Sequence, residues 1–320
     1  MSHRIGLRPS FPMKSNRIQS GLVLQQRDRA FIAAVGHYRF LKSNHLHHLV
    51  APNVSLRIVQ ERLRKLTLHR YLKRFYLPVV LDGQHAPPTH RRQPVYAITT
   101  RGARLVNESA SEHPSPCLAT ERPSPMTLLH HLVATDCLVS LAVACRERDD
   151  VRFVSGEHDG ILYSKLRAFR QRTRIQNAVI PDGTFTLHYP TPNEILTFYL
   201  EVVRADVKGG NRTLLAKMRR YVELHRQNFF RDAYGHPRLR AVLFATTSRA
   251  RAENLRRMAE SLTQGRRLFW FGSYQERNSD GVPVTRFTPE RILSLLWEDA
   301  EQETFTLIQP CRPSPQRSAE

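Results

Sequence analysis

Two acidic residues lie on neighbouring segments whose residues alternate in the manner of β-strands. Asp182 opens the stretch IPDGTFTLHY, and Glu201 lies near the end of the stretch EILTFYLEVV. If the two strands pair, both carboxylates can reach one Mg²⁺ ion, which in proteins takes one or two carboxylates together with water and phosphate oxygens. Such an ion generates hydroxide and stabilises the charge on a scissile phosphate. Asp182 and Glu201 are therefore candidate catalytic and metal-binding residues.

A lysine normally completes such a site by stabilising the transition-state charge or orienting the water. In nucleases that hold Mg²⁺ with two acids on paired strands, this lysine lies two residues after the second acid. In this chain that position is Val203. Lys208, in the stretch RADVKGGN, is one candidate replacement. Lys217 is the other, because it falls in a helical arc that also contains Leu214, Met218, Tyr221 and Leu224. A lysine in an apolar arc either extends to solvent or is held for a purpose. We take Lys217 as the candidate third catalytic residue.

One further acid precedes these residues. Glu157, in the stretch FVSGEHDG, is either an additional acid of the same site or an acid in a turn. The residue types and spacing leave both alternatives open.

The charge of the chain indicates a polyanionic partner. The formal net charge is +21 and the pI is about 10.7. Residues 1–125 hold 20 Lys and Arg against 6 Asp and Glu, whereas the rest of the chain holds 29 against 22. A field of this sign concentrates polyanions and speeds their capture. The N-terminal part is therefore expected to face double-stranded DNA, although a ribosomal or membrane-surface protein can also be this basic.

Four cysteines and the apolar runs suggest where the protein works. The cysteines have neither CxxC pairs nor the spacing of a disulfide framework, which favours a reduced, cytoplasmic protein. The longest apolar run, LVSLAVAC, is far shorter than the ~18 residues that span a bilayer. We expect no association with a membrane.

The N-terminal part has the element pattern of a winged helix-turn-helix domain over residues 20–112. Three helices, about 26–38, 43–50 and 55–72, precede two strands joined by a loop. In the third helix Val59, Leu63 and Leu66 recur on one face, which leaves a basic face for the DNA major groove. The candidate DNA-binding residues are Arg57, Gln60, Arg64 and Lys65 on that helix and Arg91 and Arg92 in the loop.

The rest of the chain predicts a second, α/β domain over residues 126–300. A proline-rich linker at 113–125 precedes it, a basic arm covers 1–19, and a tail covers 301–320. Antiparallel strands come first and a βαβ unit follows, which predicts a mixed sheet. We also expect strands at about 175–181 and a last helix at about 288–299.

The order of several short motifs resembles that of the replication-relaxation family. These motifs are QQRDRAFIAAV, YRFL, ERLRKLTLHRYL, PVYAITTRGARLV, LLHHLVATDCLV, IPDG, FYLEVVRAD and LLAKMRRY, over roughly residues 25–275. The resemblance implies a winged helix followed by a domain similar to PD-(D/E)XK nucleases, that is, a restriction-endonuclease-like α/β domain. The family pattern near the second acid is Glu-Val-Asp, whereas this chain has Glu201-Val202-Val203 and so lacks one carboxylate.

Together these features predict a DNA-binding protein of a plasmid or mobile element, acting in replication, mobilisation or their regulation. Replication or conjugation proteins are the expected protein partners. The alternative is a Mg²⁺-dependent DNA endonuclease that uses Asp182, Glu201 and Lys217.

Overall fold

The computed structural model describes residues 22–76, 80–81, 84–85, 94–109, 123–173, 178–204, 210–262, 264–279, 281 and 283–308. The chain divides into two compact units, an N-terminal unit of residues 1–139 and a C-terminal unit of residues 140–320. The division falls inside a helix, whereas the sequence places the domain boundary in the proline-rich stretch 113–125. Residues 110–122 lie outside the described residues, so the predicted domain limits stay a prediction.

The described part of the N-terminal unit begins with three helices, as the sequence predicts. Its elements are α1 Gln26–Tyr38, β1 Leu41–Lys42, α2 Ser43–Val50, α3 Leu56–Leu68, β2 Leu72–Tyr76, β3 Val80–Leu81, β4 Gln84–His85, β5 Pro94–Ile98, α4 Thr100–Ser109 and α5 Pro125–Ala144. Strands β1, β5 and β2 form an antiparallel sheet in that order, and β3 pairs with β4. Three helices followed by strands are the order of elements that the sequence predicts, and the winged helix-turn-helix domain stays a prediction.

Helix α3 is fixed by its apolar face and by one buried ion pair. Val59, Leu63 and Leu66 are at most 1% exposed, as their i, i+4, i+7 spacing predicts. Arg62, on the same helix, binds the fully buried carboxylate of Asp28 in α1 through Nε and Nη2. Because a fork-shaped guanidinium on a carboxylate fixes the angle as well as the distance, this pair orients α3 against α1.

The first half of α5 packs on the N-terminal sheet. Leu128 and Leu132 join Phe40, Val95 and Ala97 in one buried cluster. By length and composition alone, α5 is apolar enough to cross a membrane, although its longest continuous apolar run is short. Of its most apolar stretch, 61% is buried inside the protein. A buried helix of a protein core has the same composition, so this finding is weak grounds for a membrane span.

The C-terminal unit is built on a mixed seven-stranded sheet. Its elements are β6 Arg152–His158, α6 Asp159–Arg170, β7 Gly183–Tyr189, β8 Glu194–Val203, α7 Gly210–Arg226, α8 Phe229–Tyr234, β9 Leu239–Thr246, α9 Arg249–Glu260, β10 Phe269–Ser273, β11 Gln275–Arg277, β12 Pro283–Thr285, β13 Trp297–Asp299 and β14 Thr304–Phe305. The strand order is β14-β13-β10-β9-β8-β7-β6, and β11 pairs separately with β12. Strands β6, β7 and β8 are antiparallel, whereas β8, β9 and β10 are parallel. The predicted α/β fold with a mixed sheet is confirmed.

Three local predictions differ from the structure. The helix expected at 288–299 is wrong: a single 3₁₀ turn at Ile292–Ser294 is followed by β13, because Trp297 and Asp299 complete the sheet beside β10 and β14. Residues 178–181 form no strand, and 174–177 lie outside the described residues. Helix α6 was not predicted, although Leu162 and Leu166 in it have the i, i+4 spacing of a buried helical face.

One face of this sheet carries the side chains that matter below. Strand alternation places Tyr199, Glu201 and Val203 of β8 on the same face. Tyr199 and Val203 belong to one buried cluster with residues of four helices, α6, α7, α8 and α9. The candidate acid Glu201 therefore faces a helical layer.

Candidate functional site

Lys217 and Tyr221 bring two donors to Glu201 from one face of α7. The two residues are one helical turn apart, and Met218, Tyr221 and Leu224 bury the same side of the helix against the sheet. Lys217 Nζ binds Glu201 Oε2, and Tyr221 Oη donates to Glu201 Oε1. Both oxygens of the buried carboxylate are thus engaged. The side chain of Glu201 is 5% exposed and that of Lys217 is 30% exposed.

Asp182 lies beside Glu201 at the start of β7. Its backbone N–H donates to the carbonyl of Leu200 (3.0 Å), and its Oδ2 accepts from the N–H of Val202 (2.7 Å). The two hydrogen bonds bracket Glu201 on β8. Asp182 therefore extends the pairing of β7 with β8 up to the segment that carries Glu201.

Burial and charge act against each other at these residues. Burial raises the pKa of Glu201 to about 7; the charge of Asp182 acts in the same direction, and Lys217 opposes it. Burial alone would lower the pKa of Lys217, but the charges of Glu201 and Asp182 outweigh it and raise that pKa. Burial, and next the charge of Glu201, raises the pKa of the Tyr221 hydroxyl well above its usual value. Of Glu201, Lys217 and Tyr221, Glu201 is therefore the residue that titrates near neutral pH.

The donor set allows a divalent cation but does not form a ready-made cage. No group of three or more His, Cys, Asp or Glu side chains that could hold a metal occurs among the described residues. Asp182 and Glu201 supply two carboxylates, the number that Mg²⁺ takes when it keeps its waters. A cation held by Glu201 would compete with Lys217 or Tyr221 for an oxygen of this carboxylate. The residues fit Mg²⁺ in number and type.

The other lysine positions and the early acid have different surroundings. Val203 packs in the core at 5% exposure, and Lys208 lies outside the described residues. Glu157 lies in strand β6 rather than in a turn. It binds Lys165 Nζ (2.5 Å) and lies 3.4 Å from His236 Nε2. Burial acts to raise the pKa of Glu157, but His236 and Lys165 outweigh it and lower that pKa.

The predicted DNA-binding residues of α3 share its exposed side. Arg57, Gln60, Arg64 and Lys65 are all exposed, opposite the buried face of the helix. Arg64 also binds Glu61 of the same face through two hydrogen bonds of 2.9 and 3.1 Å. Arg91 and Arg92 lie outside the described residues. A mostly basic, solvent-facing helix is thus present in the N-terminal unit.

The comparisons with known proteins identify the family. The sequence pattern of the family named replication-relaxation matches residues 32–239. The chain belongs to the replication-relaxation family. The matched range includes α3 of this family member as well as Asp182, Glu201 and Lys217. No curated protein matches the chain.

Among solved structures, the chain is similar to the SdaI restriction endonuclease. The two sequences are 10% identical, and the alignment covers 78% of this chain and 84% of that chain with a TM-score of 0.21. At this score the likeness carries no argument about this replication-relaxation protein.

Proposed function

We propose that this replication-relaxation protein is a cytoplasmic DNA-binding protein of a plasmid or mobile element, acting in replication, mobilisation or their regulation. Double-stranded DNA is the ligand, and replication or conjugation proteins are its partners. The proposal rests on the exposed side of α3, where Arg57, Gln60, Arg64 and Lys65 lie together. Helices of this kind enter the major groove, where arginine and glutamine pair with base edges and lysine neutralises phosphate.

The test is a titration of the full-length protein with labelled duplexes of random sequence at 50 and 200 mM salt. We expect affinity to fall steeply with salt, since each neutralised phosphate adds about −0.9 to the slope of log K against log salt. The Arg57→Ala/Lys65→Ala variant should weaken binding and reduce that slope by up to about 1.8 if both contact phosphates.

Arg104→Ala is the matched control, because Arg104 is an exposed arginine of α4 in the same unit. It should change affinity little. The proposal is wrong if the full-length protein has no duplex affinity at 50 mM salt, or if the α3 variant behaves like the Arg104→Ala variant.

A second candidate function is Mg²⁺-dependent DNA cleavage, and the approach of Lys217 to Glu201 favours it. The ammonium lies on the second carboxylate although strand position 203 is a valine. Asp182 and Glu201 would hold the ion, which supplies an activated water. Lys217, displaced from Glu201, would then bind a phosphate oxygen and stabilise its developing charge.

The experiment incubates supercoiled and linear DNA with the full-length protein and Mg²⁺ or Mn²⁺. Cleavage by the wild type should disappear with a chelator and in the Asp182→Asn and Lys217→Ala variants, while duplex affinity is kept. If neither metal supports nicking or cleavage by the wild type, the endonuclease function is excluded and the DNA-binding function stands.

A further inference from the structure

One face of α6 combines an exposed aromatic ring with arginines. Tyr163 is 55% exposed, and Arg167 and Arg170 are exposed at the i+4 and i+7 positions from it. With Gln171 they line a shallow cleft of about 270 Å³, and the buried Leu166 forms part of it. Residues four apart are neighbours on a helix surface, so the ring and the guanidinium groups present one continuous surface.

Beyond its first residue, Asp159, the helix that carries this face has basic residues and no acidic ones. Residues 160–181 contain five Lys and Arg and no Asp or Glu. Lys165 is turned inward, where it binds Glu157, whereas Arg167, Arg170 and Arg172 are exposed. An acid-free stretch of this kind attracts phosphates rather than cations.

Helix α6 is held firmly in place. Leu162 and Leu166 are at most 1% exposed in the core. Lys165 Nζ donates to Glu157 Oε1 of β6 (2.5 Å) and to the carbonyl of Tyr234 at the end of α8 (3.0 Å). The cleft face is therefore a preformed surface, which reduces the entropy lost when a ligand binds.

The cleft also lies on the helical side of the sheet. Leu162 and Leu166 of α6 belong to the same buried cluster as Met218 and Tyr221 of α7. The helix that carries Lys217 thus covers the same sheet face as α6.

We propose that this α6 face binds a single strand of DNA, with one base stacked on Tyr163 and phosphates on Arg167 and Arg170. Single-strand sites combine an aromatic platform with a basic groove, because every base has a π-face and every nucleotide a charge. Sites for small molecules are closed pockets of ~300–1,000 Å³, whereas this open cleft is better suited to a segment of a polymer such as a DNA strand. The inference rests on the proposed DNA-binding function and adds a second site, separate from α3.

The test titrates the full-length protein with a labelled 20-nucleotide oligothymidine and with duplex DNA. The Arg167→Ala/Arg170→Ala variant should weaken oligothymidine binding and lower the slope of log K against log salt by about 1.4, since each single-strand phosphate adds about −0.7. Tyr163→Ala should weaken it roughly 5- to 150-fold, the range of one stacked base, whereas Tyr163→Phe should retain most of the affinity.

Arg249→Ala is the matched control, because Arg249 is an 84% exposed arginine of α9 in the same unit. Thermal unfolding of each variant shows whether it is folded. Oligothymidine affinity that is the same in all folded variants, as when an acidic protein is the true occupant, overturns this inference and leaves the function of α3 untouched. An equal loss in the control also overturns it. A protein that binds neither DNA overturns both proposals, whereas loss of duplex binding in the α3 variant alone confirms that the two sites differ.

Discussion

Lys217 binds Glu201 from a helix, 16 residues further along the chain, while the strand position that was expected to hold the lysine is occupied by Val203. The helix supplies the cation because Lys217 and Tyr221 are on the same face of α7 and both reach the carboxylate. The valine, at 5% exposure, fills the core instead. Helix α7 thus supplies the positive charge for Glu201, while Val203 of β8 packs the end of the strand.

Removing Lys217 should destabilise the C-terminal unit. Above pH 7, where the Glu201 carboxyl is mainly ionised, the Lys217→Met variant leaves a buried carboxylate without its counter-charge, and breaking one partner of a buried pair costs about 3–5 kcal/mol. The free energy of unfolding in denaturant should fall by about 3 kcal/mol, because the 30% exposure of Lys217 lets water replace part of the lost interaction.

A double-mutant cycle separates the pair from its surroundings. Lys217→Met/Glu201→Gln should recover most of the lost stability, since the Gln leaves no buried charge unpaired. If the losses of unfolding free energy in the two single variants simply add up in the double variant, the Lys217–Glu201 ion pair does not stabilise the fold.

The stability of the C-terminal unit should fall as the pH rises, because of the raised pKa of Glu201. Its folded pKa, raised to about 7, exceeds the usual 4.5, so the folded state binds a proton more readily than the unfolded state. The resulting contribution of Glu201 to the free energy of unfolding is complete below pH 4.5 and is lost as the pH rises through 7. Its size is on the order of 3 kcal/mol. In the Glu201→Gln variant this decline should be absent. A ¹³C carboxyl titration of Glu201 with a midpoint near 4.5 would contradict the assignment.

The N-terminal unit should respond to acid in the opposite sense. His45 Nε2 lies 2.7 Å from Asp136 Oδ1, and Lys42 Nζ binds the same carboxylate at 2.6 and 2.9 Å. Burial lowers the pKa of His45 despite Asp136, so the folded state favours neutral imidazole. The contribution of neutral His45 to stability is present above pH 6.5 and is lost as the pH falls through the lowered pKa of the folded state.

Amide hydrogen exchange in α2 and α5 measures this local stability. Opening should become easier between pH 7 and 5 in the wild type, after correction for the intrinsic exchange rate. His45→Gln keeps a donor for Asp136 without a titrating ring, so it should lack this change. Equal pH dependence in both proteins would mean that His45 titrates without consequence.

The sequence identifies the elements of this replication-relaxation protein better than it identifies their contacts. Alternation along β7 and β8 and the i, i+3, i+4 spacing of α3 and α7 are local patterns, so both acids, Lys217 and the basic face of α3 could be named in advance. Asp136 binds Lys42 and His45, which are 94 and 91 residues away in the chain, and local periodicity cannot predict such a pairing.

Tyr221 shows the same limit within the candidate site. Its position in an apolar arc predicts only that the ring is buried, which it is. The hydroxyl bond to Glu201 depends on how close α7 lies to β8, a consequence of packing by Met218 and Leu224. Tyrosine in a core usually finds a polar partner, but the sequence alone does not say which.

Arg62 should matter for stability although it is on the helix proposed to bind DNA. Its guanidinium binds the fully buried Asp28, so Arg62→Ala leaves an uncompensated charge and should cost about 3 kcal/mol. Thermal unfolding should reveal the loss. Arg57→Ala, on the exposed side of the same helix, should leave stability unchanged within about 0.5 kcal/mol. Equal stability of the two variants would contradict the role of Arg62 in fixing α3.

The Glu61–Arg64 pair predicts a gain of DNA affinity from loss of a charge. Both side chains are about half exposed, and Arg64 donates two hydrogen bonds to the Glu61 carboxylate. That carboxylate repels phosphates and holds an arginine that would otherwise face the groove.

Glu61→Gln should therefore tighten duplex binding by about 2- to 5-fold at 50 mM salt, the scale of one exposed ion pair. The salt slope should steepen by up to about 0.9, because Arg64 becomes available to a phosphate. Glu108→Gln, which removes the same charge from the exposed surface of α4, is the control and should have a smaller effect. Weaker binding by Glu61→Gln would instead indicate that Glu61 itself accepts a hydrogen bond from a base, as acidic side chains do from the N4 amine of cytosine.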